Sequence, residues 1–240
     1  MSRRPALRPK TEALLRTAST ATLTSQLLMR GLRTTFLAGL GPTRPDLRLV
    51  GRARTLRYAP AREDLGVRVD YDNATDVQRR AVEMVGPGDV LVIDARGKTG
   101  AASFGHIIAT RIAVRGAEGL VTDGGLRDSP AFAELDLAAY FRAPHATTSS
   151  VLHHPVGIDE PIGCADVLVM PGDVIVGDAE GVVVIPPHLA DEVAAGAAQQ
   201  EEVEAFALER IRAGEPIADL YPLRDARRAE FEAWRAARGG

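Results

Sequence analysis

The sequence predicts an α/β fold in which helices pack around a compact central β structure, with further helices at both ends of the chain. Two short apolar runs, VLVID at residues 90–94 and GLVTDGG at 119–125, are typical of strands that are covered on both faces. The segment between them, FGHIIATRIAVRG at 104–116, has the period of a helix. This β-loop-α-β order predicts a parallel crossover. The short strands of the last third, separated by Pro-Gly and acidic-Gly turns, predict antiparallel pairing.

Composition places the chain among ordinary globular proteins. It has 240 residues, 45% of them hydrophobic and 25% charged. Neither an internal repeat nor a long linker divides it, so we expect a single domain over residues 1–240. The single cysteine, Cys164, has no partner for an internal disulfide, which favours a reducing compartment. A net charge of -3 gives no electrostatic reason to expect nucleic acid or a membrane as a partner.

The amino-terminal residues carry no secretory pattern, because no apolar run of sufficient length follows the basic start. We therefore expect a cytoplasmic protein, with an Arg- and Ser-rich mitochondrial presequence as the alternative. The lysine count is unusual. Of 29 basic residues only Lys10 and Lys98 are lysines, and Lys98 falls in a predicted loop. Chemistry that needs a buried lysine to form an imine is therefore disfavoured.

The first half of the chain alternates helices and strands. Helical spacing of leucines in the opening region ends at residues 39–42, where Gly and Pro occur together. Residues 48–58 alternate apolar and charged positions, which predicts a half-exposed strand. The next helix is expected to end at the turn 86–88 and to be capped by Asn73 or Thr75.

The second half is richer in strands. A loop is expected at residues 96–103, before the helix of the crossover. The short strand segments of the last third are AYFRA, TTSSVLHHPVGI, CADVLVM, DVIVGD and GVVVIP. A long helix is predicted from Leu189 to Arg212, and a final helix over DARRAEFEAWRAAR closes the chain.

The most informative candidate site follows the second buried strand. Two glycines, Gly124 and Gly125, lead to adjacent Arg127 and Asp128 at the carboxyl end of that strand, where α/β proteins bind ligands. A guanidinium matches a carboxylate, and a carboxylate supplies hard oxygens to Mg²⁺ or Mn²⁺. A structural interpretation has about equal weight: Asp128 as the N-cap of a helix that starts at Ser129.

A second candidate is the segment Gly105 to Ile108, at the start of the crossover helix. Free N–H groups at a helix start bind anions. Taken alone, His106 is best interpreted as a surface residue, with a ligand or acid/base role as the alternative. His153 and His154 are neighbours on a strand and point to opposite faces, so they do not chelate one ion together. Cys164 is expected to be a buried small residue.

Two blocks of the sequence together resemble the RraA-like family, which includes the 4-hydroxy-4-methyl-2-oxoglutarate/4-carboxy-4-hydroxy-2-oxoadipate aldolases. The first block is FGHIIATRIAVRGAEGLVTDGGLRDSPAF and the second is PIGCADVLVMPGDVIVGDAEGVVVIP. The resemblance covers roughly residues 20–215, and residues 216–240 look like a helical extension outside the family core. It implies a sandwich with a swivelling-domain-like centre, in a homotrimer or hexamer with active sites between subunits.

The resemblance also implies roles for individual residues. Arg127 matches the substrate-binding arginine and Asp128 the metal aspartate, while the amides of Gly105 to Ile108, with Ile107 between them, match those that hold the pyruvyl carboxylate. A glutamate from the neighbouring subunit's carboxyl-terminal helix is expected to hold a water on the metal, and Glu201 and Glu204 are the candidates. The sequence departs from the family at His106, where an acidic residue is usual.

These matches imply a lyase that uses Mg²⁺ or Mn²⁺ to cleave a carbon–carbon bond of a small 2-oxo acid. Retro-aldol cleavage and oxaloacetate decarboxylation both pass through an enolate that the metal and Arg127 would stabilise. Two alternatives stay open. One is a non-catalytic scaffold, since some members of the family regulate an RNA-degrading enzyme. The other is a metal-dependent hydratase or dehydratase of a sugar-derived oxo acid, in which His106 acts as acid or base.

Overall fold

The computed structural model describes residues 6–66 and 73–238. Its longer helices begin and end close to the predicted positions. The helices are α1 (Pro9–Thr17), α2 (Thr20–Met29), α3 (Glu63–Gly66), α4 (Val77–Met84), α5 (His106–Val114), α6 (Ala190–Arg212) and α7 (Asp225–Arg238). Short 3₁₀ helices span Ser129–Glu134, Ser149–Val151 and Pro187–Leu189. None of the helices in the described ranges has the length and apolar character that crossing a membrane requires.

The strands build one large sheet and two small ones. They are β1 (Gly41–Pro42), β2 (Leu49–Pro60), β3 (Asp89–Asp94), β4 (Ala102–Gly105), β5 (Gly119–Thr122), β6 (Gly125–Arg127), β7 (Ala138–Phe141), β8 (Ala143–Pro144), β9 (His153–Ile158), β10 (Ile162–Cys164), β11 (Val167–Val169), β12 (Val174–Gly177) and β13 (Val182–Ile185). In the described ranges the large sheet has the order β1-β7-β5-β3-β2-β12-β13, with β9 also paired to β2. A parallel three-stranded sheet joins β4, β6 and β8.

The predicted crossover is confirmed, since β3 and β5 pair in parallel on either side of α5 in the chain. Antiparallel pairing in the last third is confirmed for β9, β10–β11 and β12–β13. It is only partly right for the AYFRA segment, because β7 pairs in parallel with β5 on one side and antiparallel with β1 on the other. The strand predicted at 48–58 exists, but it is mostly buried, because β2 lies in the sheet interior between β3 and β12.

Two other local predictions need correction. The cap of α4 is Asp76, whose side chain accepts a hydrogen bond from the Arg79 N–H, so neither Asn73 nor Thr75 has that role. Phe104 and Gly105, predicted as the start of the crossover helix, belong to β4, and α5 begins only at His106. The helical period of the apolar residues continues through this strand, so periodicity alone could not separate the two elements.

The core lies on both faces of the large sheet. Helices α4 and α5 cover one face, where Val82 and Ile112 pack in one buried cluster with strand residues such as Leu120. Helices α1, α2 and α6 cover the β2–β12–β13 end through another apolar cluster. The carboxyl-terminal α7 packs against α6, where Phe231 and Trp234 contact Phe206. Cys164 is buried in the sheet, as predicted.

Buried His153 makes the fold sensitive to acid. Burial, assisted by the positive charge of Arg96, lowers its pKa from 6.5 to about 4. Below about pH 6.5 this histidine is therefore protonated in the unfolded chain but still neutral in the native chain. The free energy of unfolding consequently falls as the pH drops towards 4. Between these two pH values the free energy of unfolding of the wild type falls by about 1.4 kcal/mol per pH unit. We expect this fall to be absent in His153→Phe, which keeps an aromatic ring next to Tyr58. Urea unfolding at pH 7 and pH 5 measures the difference. The exposed His188→Gln serves as the control, and equal acid dependence in wild type and His153→Phe would contradict the assignment.

Candidate functional site

A cleft of about 550 Å³ opens between α4, the start of α5 and the end of β6. The predicted binding and catalytic residues of these two segments all line it: Gly105, His106, Ile107, Ile108, Arg127 and Asp128. Further polar residues on its wall come from α4 and from the segment after β8: Gln78, Arg79, Glu83, Thr148 and Ser149. The two segments that the sequence singled out are therefore parts of one site.

Strand pairing brings the two segments together. β4 and β6 lie parallel, and Gly105 is the register partner of Arg127. The first residue of α5 and the Arg127-Asp128 pair consequently leave the small sheet at the same edge. A Cβ at residue 105 would lie 3.8 Å from both Arg127 Cβ and Asp128 Oδ2, in ordinary van der Waals contact, so it would fill the space next to them without a clash. Glycine thus leaves open space beside the Asp128 carboxylate.

The loops behind the site are fixed by Asp123. Its buried carboxylate accepts hydrogen bonds from the N–H groups of Ala95 at 2.7 Å, Gly97 at 2.8 Å and Ala165 at 3.3 Å. Burial raises the pKa of Asp123, and these three hydrogen bonds oppose that rise. Gly124 next to it permits the close packing, because a Cβ would lie 2.6 Å from that of Ala95. Asp123 and Gly124 therefore shape the loop from which β6 starts.

Asp128 has a backbone conformation that few residues adopt. Its φ of 60° and ψ of 32° place it in the left-handed region, where aspartate is tolerated better than most residues. Although it precedes the 3₁₀ helix Ser129–Glu134, its side chain makes no capping hydrogen bond. Asp128 therefore occupies the predicted N-cap position before Ser129, but its side chain does not cap the helix. Unusual backbone conformations of this kind concentrate at functional sites.

Three kinds of group face the cleft at this edge. The Arg127 and Asp128 side chains are 51% and 50% exposed, with Nε and Oδ1 3.7 Å apart, so each keeps free bonding capacity. The first N–H groups of α5, at His106 to Ile108, have no helical acceptor because no helical turn precedes them, and Gly105 provides no side chain to cap them. The site thus combines a guanidinium, a carboxylate and a helix amino terminus, which suits a carboxylate ligand that also chelates a cation.

His106 lies at the first position of α5 and lines the cleft. Its ring meets buried Phe132 edge to face, with 6.0 Å between the ring centroids. Phe132 belongs to the 3₁₀ helix that directly follows Asp128, so this contact joins the two segments of the site. His106 is therefore not simply a surface residue, because its imidazole is partly buried and lines the cleft.

The sequence did not reveal the α4 wall of the cleft. Gln78 donates hydrogen bonds to the Tyr58 hydroxyl and the Ser103 carbonyl, which ties α4 to β4. Glu83 binds the guanidinium of Arg111 through two 2.9 Å hydrogen bonds, and these bonds lower the pKa of Glu83. Amphipathic spacing predicted a helix here, but no motif indicated that its polar side would face the cleft.

Glu201 and Glu204 lie on α6, outside the cleft residues of this chain. Glu201 accepts a 2.6 Å hydrogen bond from the Ser19 N–H, just before α2. Glu204 accepts hydrogen bonds from Gln200 and Tyr221 and lines a separate cavity of about 440 Å³. Any part they play in the cleft would require a second copy of the chain, and that part stays a prediction.

The donor set fits a cation that retains water. In the described ranges no group of three or more His, Cys, Asp or Glu side chains is arranged around a common point. Asp128 offers a half-exposed carboxylate, and the missing side chain at Gly105 leaves room next to it. Mg²⁺ is commonly held by one or two carboxylates together with water and substrate oxygens. The site therefore suits Mg²⁺ or Mn²⁺ better than an ion that needs a closed protein cage.

Comparison with known proteins agrees with the sequence resemblance. A family model described as RraA-like, Aldolase/RraA, matches residues 20–184. A Halalkalibacterium halodurans protein provisionally named a 4-hydroxy-4-methyl-2-oxoglutarate aldolase is 34% identical over 154 residues, covering 64% of this chain and 67% of that protein. The structure of Streptomyces coelicolor RraAS2, described as an unusual member of the RNase ES inhibitor RraA protein family, has a TM-score of 0.74. It is 31% identical, and the match covers 86% of this chain and 98% of that one. An uncharacterized protein from Pseudomonas syringae shares the fold, with a TM-score of 0.76 at 24% identity over 90% of this chain and 99% of that one.

Proposed function

The chain belongs to the RraA-like family, and from that premise we propose that it is a divalent-metal-dependent carbon–carbon lyase acting on a 2-oxo acid. The predicted α/β fold of this family is confirmed by its solved relatives. The observation that carries the functional proposal is the register pairing of Gly105 with Arg127. It assembles a helix amino terminus, a guanidinium and a carboxylate in one cleft.

The pyruvyl half of the substrate binds at this edge. The N–H groups of Ile107 and Ile108 donate to its carboxylate, and the Arg127 guanidinium donates to the same anionic end. Asp128 would hold Mg²⁺ or Mn²⁺, and the ion would supply Lewis-acid polarisation of the 2-oxo group. This assignment uses the first turn of α5 and the end of β6, the elements that meet beside Gly105.

Cleavage then needs one group that accepts a proton from the substrate and another that donates a hydrogen bond to the enolate oxygen. In a retro-aldol reaction the C4 hydroxyl loses its proton, the C3–C4 bond breaks, and its electron pair passes to C3 to give an enolate. We assign the proton transfer to the imidazole of His106, which lines the cleft and is oriented by Phe132. Arg127 stabilises the enolate oxygen, and protonation at C3 releases pyruvate. Oxaloacetate decarboxylation yields the same enolate with carbon dioxide as the other product.

The second subunit completes this proposal. We propose a homotrimer or hexamer in which Glu201 or Glu204 of a neighbouring copy faces the cleft. Both carboxylates already accept hydrogen bonds within their own chain, Glu201 from Ser19 and Glu204 from Gln200 and Tyr221, so both stay candidates for this role. The second carboxylate would add negative charge at a site where His106 replaces the acidic residue usual in the family.

The test is metal-dependent pyruvate release. We expect purified protein to release pyruvate from oxaloacetate or 4-hydroxy-2-oxoglutarate with Mg²⁺ or Mn²⁺, and to lose that activity after EDTA treatment. Restoring the metal should restore the activity. A coupled lactate dehydrogenase assay measures the product, with the uncatalysed decay of oxaloacetate in Mg²⁺ alone as the blank. Full activity after thorough metal removal would overturn the metal role.

A regulatory scaffold is the second candidate function. Its support is the 31% identity to RraAS2, described as a member of an RNase inhibitor family, over 86% of this chain. A scaffold needs no enolate chemistry, so it would release no pyruvate above the blank with either metal. The lyase assay therefore separates the two functions. A hydratase or dehydratase would instead consume an oxo acid without releasing pyruvate.

A further inference from the structure

Arg79 is the one cleft-lining arginine without an ionic partner among the described residues. Its Nη1 atom is shielded from solvent and has no hydrogen-bond acceptor within the described ranges. The backbone of Arg79 is nevertheless fixed, because Asp76 caps α4 by accepting the Arg79 N–H at 2.8 Å. A guanidinium held on a rigid helix with unused donors is poised to accept an anion.

The other charged groups of the cleft are already paired. In the described part of the chain, the ionic residues that line it are Arg79, Glu83, Arg111, Arg127 and Asp128. Glu83 forms ion pairs with Arg111 and also with Arg115, outside the cleft lining, and Asp128 lies 3.7 Å from Arg127. Among the residues that the structure describes, no carboxylate forms an ion pair with the guanidinium of Arg79. The cleft therefore attracts a ligand with more negative charge than the pyruvyl carboxylate alone provides.

Arg79 also lies apart from the groups assigned to the pyruvyl half. It projects from α4, whereas those groups come from the start of α5 and the end of β6. Gln78, the preceding residue, bonds to the Ser103 carbonyl of β4, so α4 cannot shift freely along the cleft. The cavity of about 550 Å³ has room for a substrate that extends from one wall to the other.

We propose that Arg79 is a specificity-determining residue that binds a second carboxylate, the one on the half of the 2-oxo acid that leaves as the other product. This inference rests on the proposed lyase function for the identity of the first half. A residue of α4 would thus determine whether the protein binds dicarboxylic 2-oxo acids more tightly than 2-oxo acids with an uncharged tail. The planar fork of arginine suits a carboxylate better than a lysine would.

Matched ligands test the proposal by binding alone. 2-Oxoglutarate and 2-oxopentanoate differ by a carboxylate in place of the terminal methyl group, and neither has the 4-hydroxyl that retro-aldol cleavage needs. In calorimetric titrations with Mg²⁺, we expect wild type to prefer 2-oxoglutarate. Arg79→Gln should lower that preference at least tenfold while changing the affinity for 2-oxopentanoate less than twofold. Arg80→Gln, which removes the exposed neighbouring cation, should leave both affinities unchanged.

Several results would overturn the assignment. One is an unchanged preference in Arg79→Gln, and another is an equal loss of affinity for both ligands in that variant. The others are equal affinity of wild type for both ligands, or no binding of either ligand by wild type. Misfolding is checked by the thermal midpoint, which we expect to stay at the wild-type value because Nη1 of Arg79 has no hydrogen-bond acceptor to lose among the described residues. Arg79→Lys adds a second check, since it should restore part of the preference by charge alone.

Failure of this inference is distinguishable from failure of the lyase proposal. Exchange of the pyruvate methyl protons with D₂O needs an enolate but no second carboxylate. If the lyase proposal holds, wild type and Arg79→Gln should exchange at rates within twofold of each other. Preferential binding of 2-oxoglutarate through Arg79 without any exchange would overturn the lyase function and leave the anion site standing.

Discussion

Arg127→Ala is expected to lower the rate of pyruvate release by about 10²–10³-fold or more, the range found when one donor to a developing oxyanion is removed. Arg127 is the guanidinium that strand pairing places beside the first turn of α5. Its side chain is 51% exposed, and its ion pair with Asp128 spans 3.7 Å. Truncation should therefore change the free energy of unfolding by no more than about 0.5 kcal/mol.

Two further variants show which property of the Arg127 side chain pyruvate release depends on. Arg127→Lys keeps the charge but not the two parallel donors, so we expect activity between wild type and Arg127→Ala. Arg228→Gln removes an exposed arginine of α7 and should have no effect on pyruvate release. Steady-state kinetics and a urea unfolding curve on each variant give both quantities. Wild-type turnover in Arg127→Ala would exclude this residue from the chemistry.

Much of the site could be predicted because its residues follow strand order. Arg127 and Asp128 follow a buried strand and two glycines, and α/β proteins bind ligands beyond the carboxyl ends of their strands. The pairing of β4 with β6, which places Gly105 opposite Arg127, was not predicted, because the sequence assigned Gly105 to a helix. The capping alternative for Asp128 could not be rejected from sequence. It depends on whether the backbone turns left-handed at that residue, a property that aspartate tolerates but does not require.

The α4 wall could not be predicted, because its contribution is a matter of packing. Arg79 and Arg80 are adjacent and chemically identical, and only the way α4 rests on β4 decides which one lines the cleft.

The same reasoning applies to AYFRA, whose composition allows either pairing direction. Its parallel pairing with β5 follows from the position of the crossover, not from its own residues. Glu201 and Glu204 depend in addition on a second chain.

Asp128→Asn is expected to abolish metal-dependent turnover while preserving the fold. The substitution keeps the shape of the side chain, and asparagine accepts the left-handed backbone that residue 128 adopts, with φ 60°. It removes the one carboxylate that the cleft offers beside Gly105. We expect the affinity for Mn²⁺ to fall at least tenfold and pyruvate release to fall by about 10³-fold, because the pyruvyl group then lacks its Lewis acid.

A matched control exists for this variant. Asp166 is exposed, has a φ of 63° and lies in the turn between β10 and β11, away from the cleft. Asp166→Asn makes the same chemical change in the same backbone conformation, so it should match wild type in Mn²⁺ binding and in activity. Electron paramagnetic resonance of free Mn²⁺ measures the affinities of all three proteins. If Asp128→Asn binds Mn²⁺ as tightly as Asp166→Asn, the ion is held elsewhere, and the Gly105–Arg127 edge loses its role as the metal site.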